Sequence, residues 1–198
     1  MKNGEGYNDP TAGEAWKHIK RDERNMRGKP VCIVVPGEPV PQGRPRFTRQ
    51  AGYVQAYDPK RSKDYKSRIL SYVWMGLKSR AYTPFTGDNI QLSVSIDIYR
   101  SIPKSWSRKK KDAAVQGQVR PVSRPDTDNY VKIALDALNK VMWKDDSAVV
   151  SLRADKWYSK TPRMEITVQV TGENKRGIQY KSINKALQKA KENSGKRA

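Results

Sequence analysis

From Asn89 to Arg100, apolar and polar residues alternate without a break, with Ile90, Leu92, Val94, Ile96 and Ile98 on every second position. Successive strand side chains point to opposite faces, so the pattern predicts a strand with one buried face. Met164, Ile166, Val168 and Val170 repeat it, and a further strand is expected near 148–158. The SKTPR stretch between these two strands reads as a turn, which predicts that they form a hairpin. PVCIVVPGEPVP reads as a strand interrupted by proline and glycine, and GRPRFTRQAGYVQAYD as a basic turn followed by a short strand. Two segments follow the helical period instead. Tyr65, Ile69, Tyr72, Val73 and Leu77 mark a helix near 61–79. Tyr130, Ile133, Ala134, Ala137, Leu138 and Val141 mark an amphipathic helix from Asn129 to about Val141, its apolar face suited to a sheet.

Strand, helix, strand, helix, strand hairpin predicts an α/β (α+β) fold: a single domain with a mixed, largely antiparallel sheet and helices packed on it. The domain is expected over 30–171. A polar extension over 1–29 precedes it, where a capping box at Thr11–Glu14 would start a helix, and a basic, thinly apolar tail over 172–198 follows. Between strand and helix, 101–124 is a polar insertion with Trp106 just ahead of the run Arg108, Lys109, Lys110, Lys111. A short helix is compatible with it. Trp143 and Trp157 are expected in the core.

Charge narrows the function. The chain has 40 Lys and Arg against 20 acidic residues, a formal charge of +20. Each neutralised phosphate releases counterions and adds sequence-independent affinity, so nucleic acid is the expected partner. No apolar run approaches the ~20 residues a bilayer requires, and the expected location is the bacterial cytoplasm, with no membrane and no small-molecule cofactor. Cys32 and His18 are the single cysteine and histidine. They are too few for an intrachain disulfide, a Cys-based zinc site or a Ser-His-Asp triad. Inside VCIVV, Cys32 is expected to be buried. Chemistry must therefore fall to carboxylates, lysines and hydroxyls.

Five aspartates, Asp126, Asp128, Asp136, Asp145 and Asp146, sit in PDTDNYVKIALDALNKVMWKDD. On an extended segment, Asp126 and Asp128 would project to the same side, and Asp128 or Asn129 would cap the following helix. Lys132 comes four residues after Asp128, one helical turn further on. Carboxylates brought together raise one another's pKa unless a cation sits among them, and an all-Asp set suits Mg²⁺ or Mn²⁺. An EF-hand starting at Asp126 fails, because Val131 and Ala137 stand where glycine and the bidentate glutamate belong. The bland reading is helix capping and salt bridges to abundant Lys and Arg.

RPDTDNYVKIALDAL and WKDDSAVV, with the proline-rich GEPVPQGRPR, resemble the RusA family of Holliday junction resolvases, common in phages and prophages, over roughly residues 30–171. The resemblance implies a homodimeric, Mg²⁺-dependent endodeoxyribonuclease that nicks two opposed strands of a four-way DNA junction. On its motifs Asp126, Asp128 and Asp146 match metal-binding acids, Lys132 matches the catalytic lysine, and Asp145, the first acid of the D-D pair, is a further candidate metal ligand. Asp136 is expected to order the helix or its neighbours. Arg44, Arg46, Arg49, Arg124 and the run Arg108 to Lys111 are expected to contact DNA phosphates. Two other readings stand beside it: a non-catalytic basic DNA-binding protein of the same fold, and a less selective flap or fork nuclease.

Overall fold

The computed structural model describes residues 29–50, 53–85 and 89–173, with no account of the side chains of Arg49, Gln50 and Glu173. The helix expected from Thr11–Glu14, His18 and most of the basic tail lie outside these residues. In chain order the elements are β1 (Val31–Pro36), β2 (Arg46–Gln50), β3 (Tyr53–Tyr57), α1 (Lys60–Lys78), β4 (Ile90–Ser101), α2 (Arg108–Val115), α3 (Thr127–Leu138), β5 (Val149–Ser159) and β6 (Arg163–Glu173). A single 3₁₀ turn, Asp146–Ala148, leads into β5.

The main sheet has the order β1-β6-β4-β5. β1 and β4 each pair antiparallel with β6, while β4 and β5 run parallel, so the sheet is mixed and largely antiparallel as expected. The predicted β5–β6 hairpin does not form. The alternating strand β4 is bonded along both edges and separates the two strands, so the short SKTPR link passes from one side of β4 to the other. That placement gives Ile90, Leu92, Val94, Ile96 and Ile98 one fully covered face. α1 and α3 cover it with Tyr65, Ile69 and Val73 from one helix and Tyr130, Ile133, Ala137 and Leu138 from the other.

Several local expectations are corrected. β1 buries Val31, Ile33 and Val35, which turns the alternate position Cys32 to the exposed side. Trp143 is buried in the core, but Trp157 is half-exposed on the other face of the sheet. There the Trp157 indole N–H donates to Asp97 at 3.0 Å and the Arg120 guanidinium lies 3.3 Å from its ring centre. The basic turn before β3 is itself a strand: β2 and β3 pair antiparallel as a separate two-stranded sheet. The run at Arg108 forms the short helix α2, capped by the Ser107 hydroxyl on the Lys110 N–H.

Lys66 joins three parts of this fold. Its Nζ lies 2.8 Å from Asp58, just after β3, and 2.9 Å from Asp136 on α3. Asp136 thus orders its neighbours, as expected. Hydrogen bonding from Lys66, with help from Gln42, outweighs burial and holds the Asp58 carboxyl below its ordinary range. Burial pulls Lys66 down, but its bonds to Asp58 and Asp136 prevail and raise it. A lowered folded-state acid stabilises above its unfolded pKa, so the Asp58 contribution is lost as pH falls below 3.8. A raised amine loses its contribution as pH rises above 10.5. Lys66→Met is expected to lose about 1–3 kcal/mol in urea unfolding at neutral pH, because two carboxylates lose their donor. The gap between parent and variant should narrow as pH falls below 3.8 and the Asp58 contribution is lost.

Candidate active site

α3 begins two residues before the predicted Asn129. Asp126, with φ −73° and ψ 154°, is the N-cap, and Asp128 lies in the first turn. Asp126 keeps the extended backbone expected of it while Asp128 is already helical, so the two do not form a fully extended pair. What holds is that both acids occupy the positive end of α3, where the helix dipole favours them. Asp126 makes no side-chain cap bond to the helix. Asp128 accepts from the Asn129 side-chain amide at 3.3 Å. Lys132 follows Asp128 one turn along, exposed and without an ion pair among the described residues.

Four polar contacts fix this helix start. Lys156 Nζ on β5 donates to the carbonyls of Ser123 and Pro125 at 3.3 and 3.1 Å. Arg100 Nη1, at the end of β4, donates to the Arg124 carbonyl at 3.2 Å. The Gln42 N–H donates to the Asn129 carbonyl at 2.8 Å. Basic side chains thus steady the acidic corner through backbone carbonyls, and among the described residues none forms an ion pair with its carboxylates.

Asp146 lies at the far end of the helix. After Leu138 the chain turns tightly, Val141 and Met142 N–H both donating to the Leu138 carbonyl, and Trp143 enters the core. The Trp143 indole N–H donates to Asp146 Oδ1 at 2.7 Å, which fixes one carboxylate oxygen at the mouth of β5. Asp145 is spent differently: it caps the 3₁₀ turn, accepting from the Ser147 N–H at 2.9 Å. Hydrogen bonding from Ser147, side chain and then backbone, holds its carboxyl below the usual range.

Asp126, Asp128 and Asp146 offer only oxygen donors, and their chemistry fits a hard divalent cation such as Mg²⁺. Within one chain they do not converge. Among the described residues, no group of three or more His, Cys, Asp or Glu is arranged to hold a metal ion. The cause is topological. α3 has 12 residues, roughly 18 Å of helix, with Asp126 and Asp128 at its start and Asp146 beyond its end. The sheet agrees: Asp146 leads into Val149 beside Leu92, whereas Pro125 is tied to Lys156 beside Ile98. Those two points on β5 stand about 23 Å apart at strand spacing.

The basic candidates divide. Arg44, Arg46, Arg108, Lys109, Lys110 and Arg124 are exposed. Lys110 also lies 4.1 Å from the Trp106 ring centre, and Lys111 is occupied by the Lys104 carbonyl at 2.8 Å. Trp106 itself packs edge-on against Tyr158 at 5.0 Å. The Arg49 side chain lies outside the described ones. Sequence reasoning missed Arg100 and Lys156 as supports of the site, because only the folded sheet brings strand ends to the residues before α3.

The family model for endodeoxyribonuclease RusA matches residues 36–169. The chain belongs to the RusA endodeoxyribonuclease family and is a nuclease. It is also similar to the uncharacterized protein YqaN of Bacillus subtilis (strain 168), with 42% identity over 141 residues, which cover 70% of this chain and 95% of that protein. Among the described residues, no helix is long and apolar enough to cross a membrane.

Proposed function

We propose that the protein is a Mg²⁺-dependent, structure-selective endodeoxyribonuclease that resolves four-way (Holliday) junctions by paired symmetric nicks, acting as a homodimer in DNA recombination and repair in the cytoplasm. The observation that carries this reading is the acidic start of α3, held in place by Arg100 and Lys156, with Lys132 one turn on. It stands in a chain of charge +20 that matches the RusA endodeoxyribonuclease family.

The separation of the acids argues for a second copy. If Asp126 and Asp128 of one chain meet Asp146 of another, the three carboxylates complete a site that one chain leaves open. β5 supplies a route. Among the described residues it is an edge strand bonded to β4 alone, with Val150 and Leu152 exposed on its first half. Its second half is covered where the Arg120 Nε–H donates to the Lys156 carbonyl at 2.6 Å. An open edge with apolar side chains is a template for strand pairing. Antiparallel pairing of two β5 strands about a two-fold axis near Leu152 sets the start of one beside the end of the other. Asp146 of one copy then approaches the Pro125–Asp126 corner of its partner. Two such sites, related by the axis, suit the paired equivalent strands of a junction.

Asp126, Asp128 and the partner copy's Asp146 would hold the ion, which when bound activates water and stabilises the anionic transition state. Lys132 sets a fixed positive charge beside the scissile phosphate. The Trp143 indole orients Asp146, and Arg44, Arg46, Arg108 and Arg124 bind backbone phosphates. The test compares a four-way junction, a fork and a linear duplex of the same sequence, with Mg²⁺ and with chelator. Opposed paired nicks in the junction alone, abolished by chelator, are expected. Equal cutting of fork and duplex would make it an unselective branch nuclease, and salt-sensitive binding with no cutting would make it a DNA-binding protein only.

A further inference from the structure

The β2–β3 hairpin presents large apolar side chains to solvent in a protein that has every reason to bury them. Phe47 is 71% exposed, Tyr53 81%, Val54 60% and Tyr57 47%. Residues paired across an antiparallel ladder share a face. Phe47, opposite Ala56, and Val54 therefore form one face, while Tyr53, Tyr57, Arg46, Thr48 and Gln55 form the other. Neither face is packed as a core, since every one of these residues is exposed.

The root of this hairpin is as firmly held as its blade is free. Gln42 Nε2, before β2, donates to Asp58 Oδ1, after β3, at 2.7 Å, and Asp58 is held in turn by Lys66. The Gly43 N–H donates to the Ser62 hydroxyl on α1 at 2.9 Å. A Cβ at Gly43 would come within 2.9 Å of the Pro59 ring and 3.2 Å of Ser62 Oγ, so the chain passes here only as glycine. The Gln42 N–H also reaches the Asn129 carbonyl, in the first turn of α3 beside Asp128. The root of an exposed aromatic blade is thus tied to the acidic corner.

We propose that this hairpin is the branch-sensing element of the enzyme: Phe47 and Tyr53 stack on bases left unstacked at a DNA branch point, and so present the adjoining backbone to the acids of α3. The inference rests on the branched-DNA reading above and names the part of the protein that distinguishes branch from duplex. Charge selects the occupant. Arg44 and Arg46 are exposed at the base of the hairpin, in a chain of net charge +20, which favours a polyanion over an apolar protein surface. Duplex DNA hides base faces within the stack, whereas a branch point exposes them, and an aromatic ring gains affinity from any base because every base has a π-face. Arginines supply binding common to all DNA. The rings supply the preference for branches.

The test is Phe47→Ala with Tyr53→Ala, both solvent-exposed positions, measured with chelator present so that nothing is cut. Parent and variant are titrated with a four-way junction carrying 2-aminopurine at the crossover and with a linear duplex of the same sequence. The parent is expected to change the 2-aminopurine fluorescence and to prefer the junction. The variant should lose the fluorescence change and about 10-fold or more of junction affinity per ring, with duplex binding unchanged. Arg46→Ala should weaken both substrates alike. A variant that keeps both fluorescence change and junction preference overturns the proposal. So does an equal loss on duplex, which would place the ribbon in a groove, or unchanged DNA binding with loss of self-association, which would make it a protein contact. Because binding is read without cleavage, a parent that fails to cut refutes the nuclease mechanism and leaves this result standing on its own.

Discussion

Asp128→Asn is expected to bind a four-way junction at least as tightly as the parent and to lose Mg²⁺-dependent cleavage by roughly 100-fold or more. Binding survives because the basic surface, not the acid, holds the phosphates, and removing a negative charge near a polyanion lessens repulsion. Cleavage fails because the amide cannot serve as an anionic oxygen ligand for a hard cation. Folding is not the variable: Asp128 is exposed, and among the described residues its side chain bonds to the neighbouring Asn129 alone. The measurements are junction binding with chelator and single-turnover cleavage with Mg²⁺, alongside a thermal melt. Parent-level cutting by the variant would remove Asp128 from the chemistry.

Much of this protein was legible in its residue pattern, and the parts that were not share one cause. β4 and β6 announce themselves because Ile90 to Ile98 and Met164 to Val170 alternate, and a one-residue slip would expose every one of them. α1 and α3 follow from their 3.6-residue spacing. Pairing partners are another matter. β5 and β6 are separated by a short turn-like link, and nothing local says that β4 lies between them. The outward face of Trp157 is equally a matter of register, decided by which strand β5 joins. Cys32 was misjudged from composition, since an apolar run such as VCIVV still alternates when its strand covers only one side of a core.

The candidate site shows the same division. Its residue types could be recognised from D-x-D-N-x-x-K and D-D, and the structure puts the first set at one helix start. The distance between the two sets could not. Asp126 and Asp146 lie beyond opposite ends of α3, and a helix keeps its ends apart. Residues that support the site from afar, Arg100 and Lys156, lie on strand ends with no signature of their own.

The separation of the acids gives the account its sharpest test. Two copies carrying different affinity tags, one Asp128→Asn and the other Asp146→Asn, are co-expressed, and the mixed dimer is isolated by both tags. If each site draws Asp126 and Asp128 from one chain and Asp146 from the other, one site of the mixed dimer carries both lesions and the other carries none. Either variant alone should be inert, while the mixed dimer should nick one strand of a four-way junction in the presence of Mg²⁺. A mixed dimer as inert as its parents would mean that each site is assembled within a single chain, and the shared-site account would be wrong.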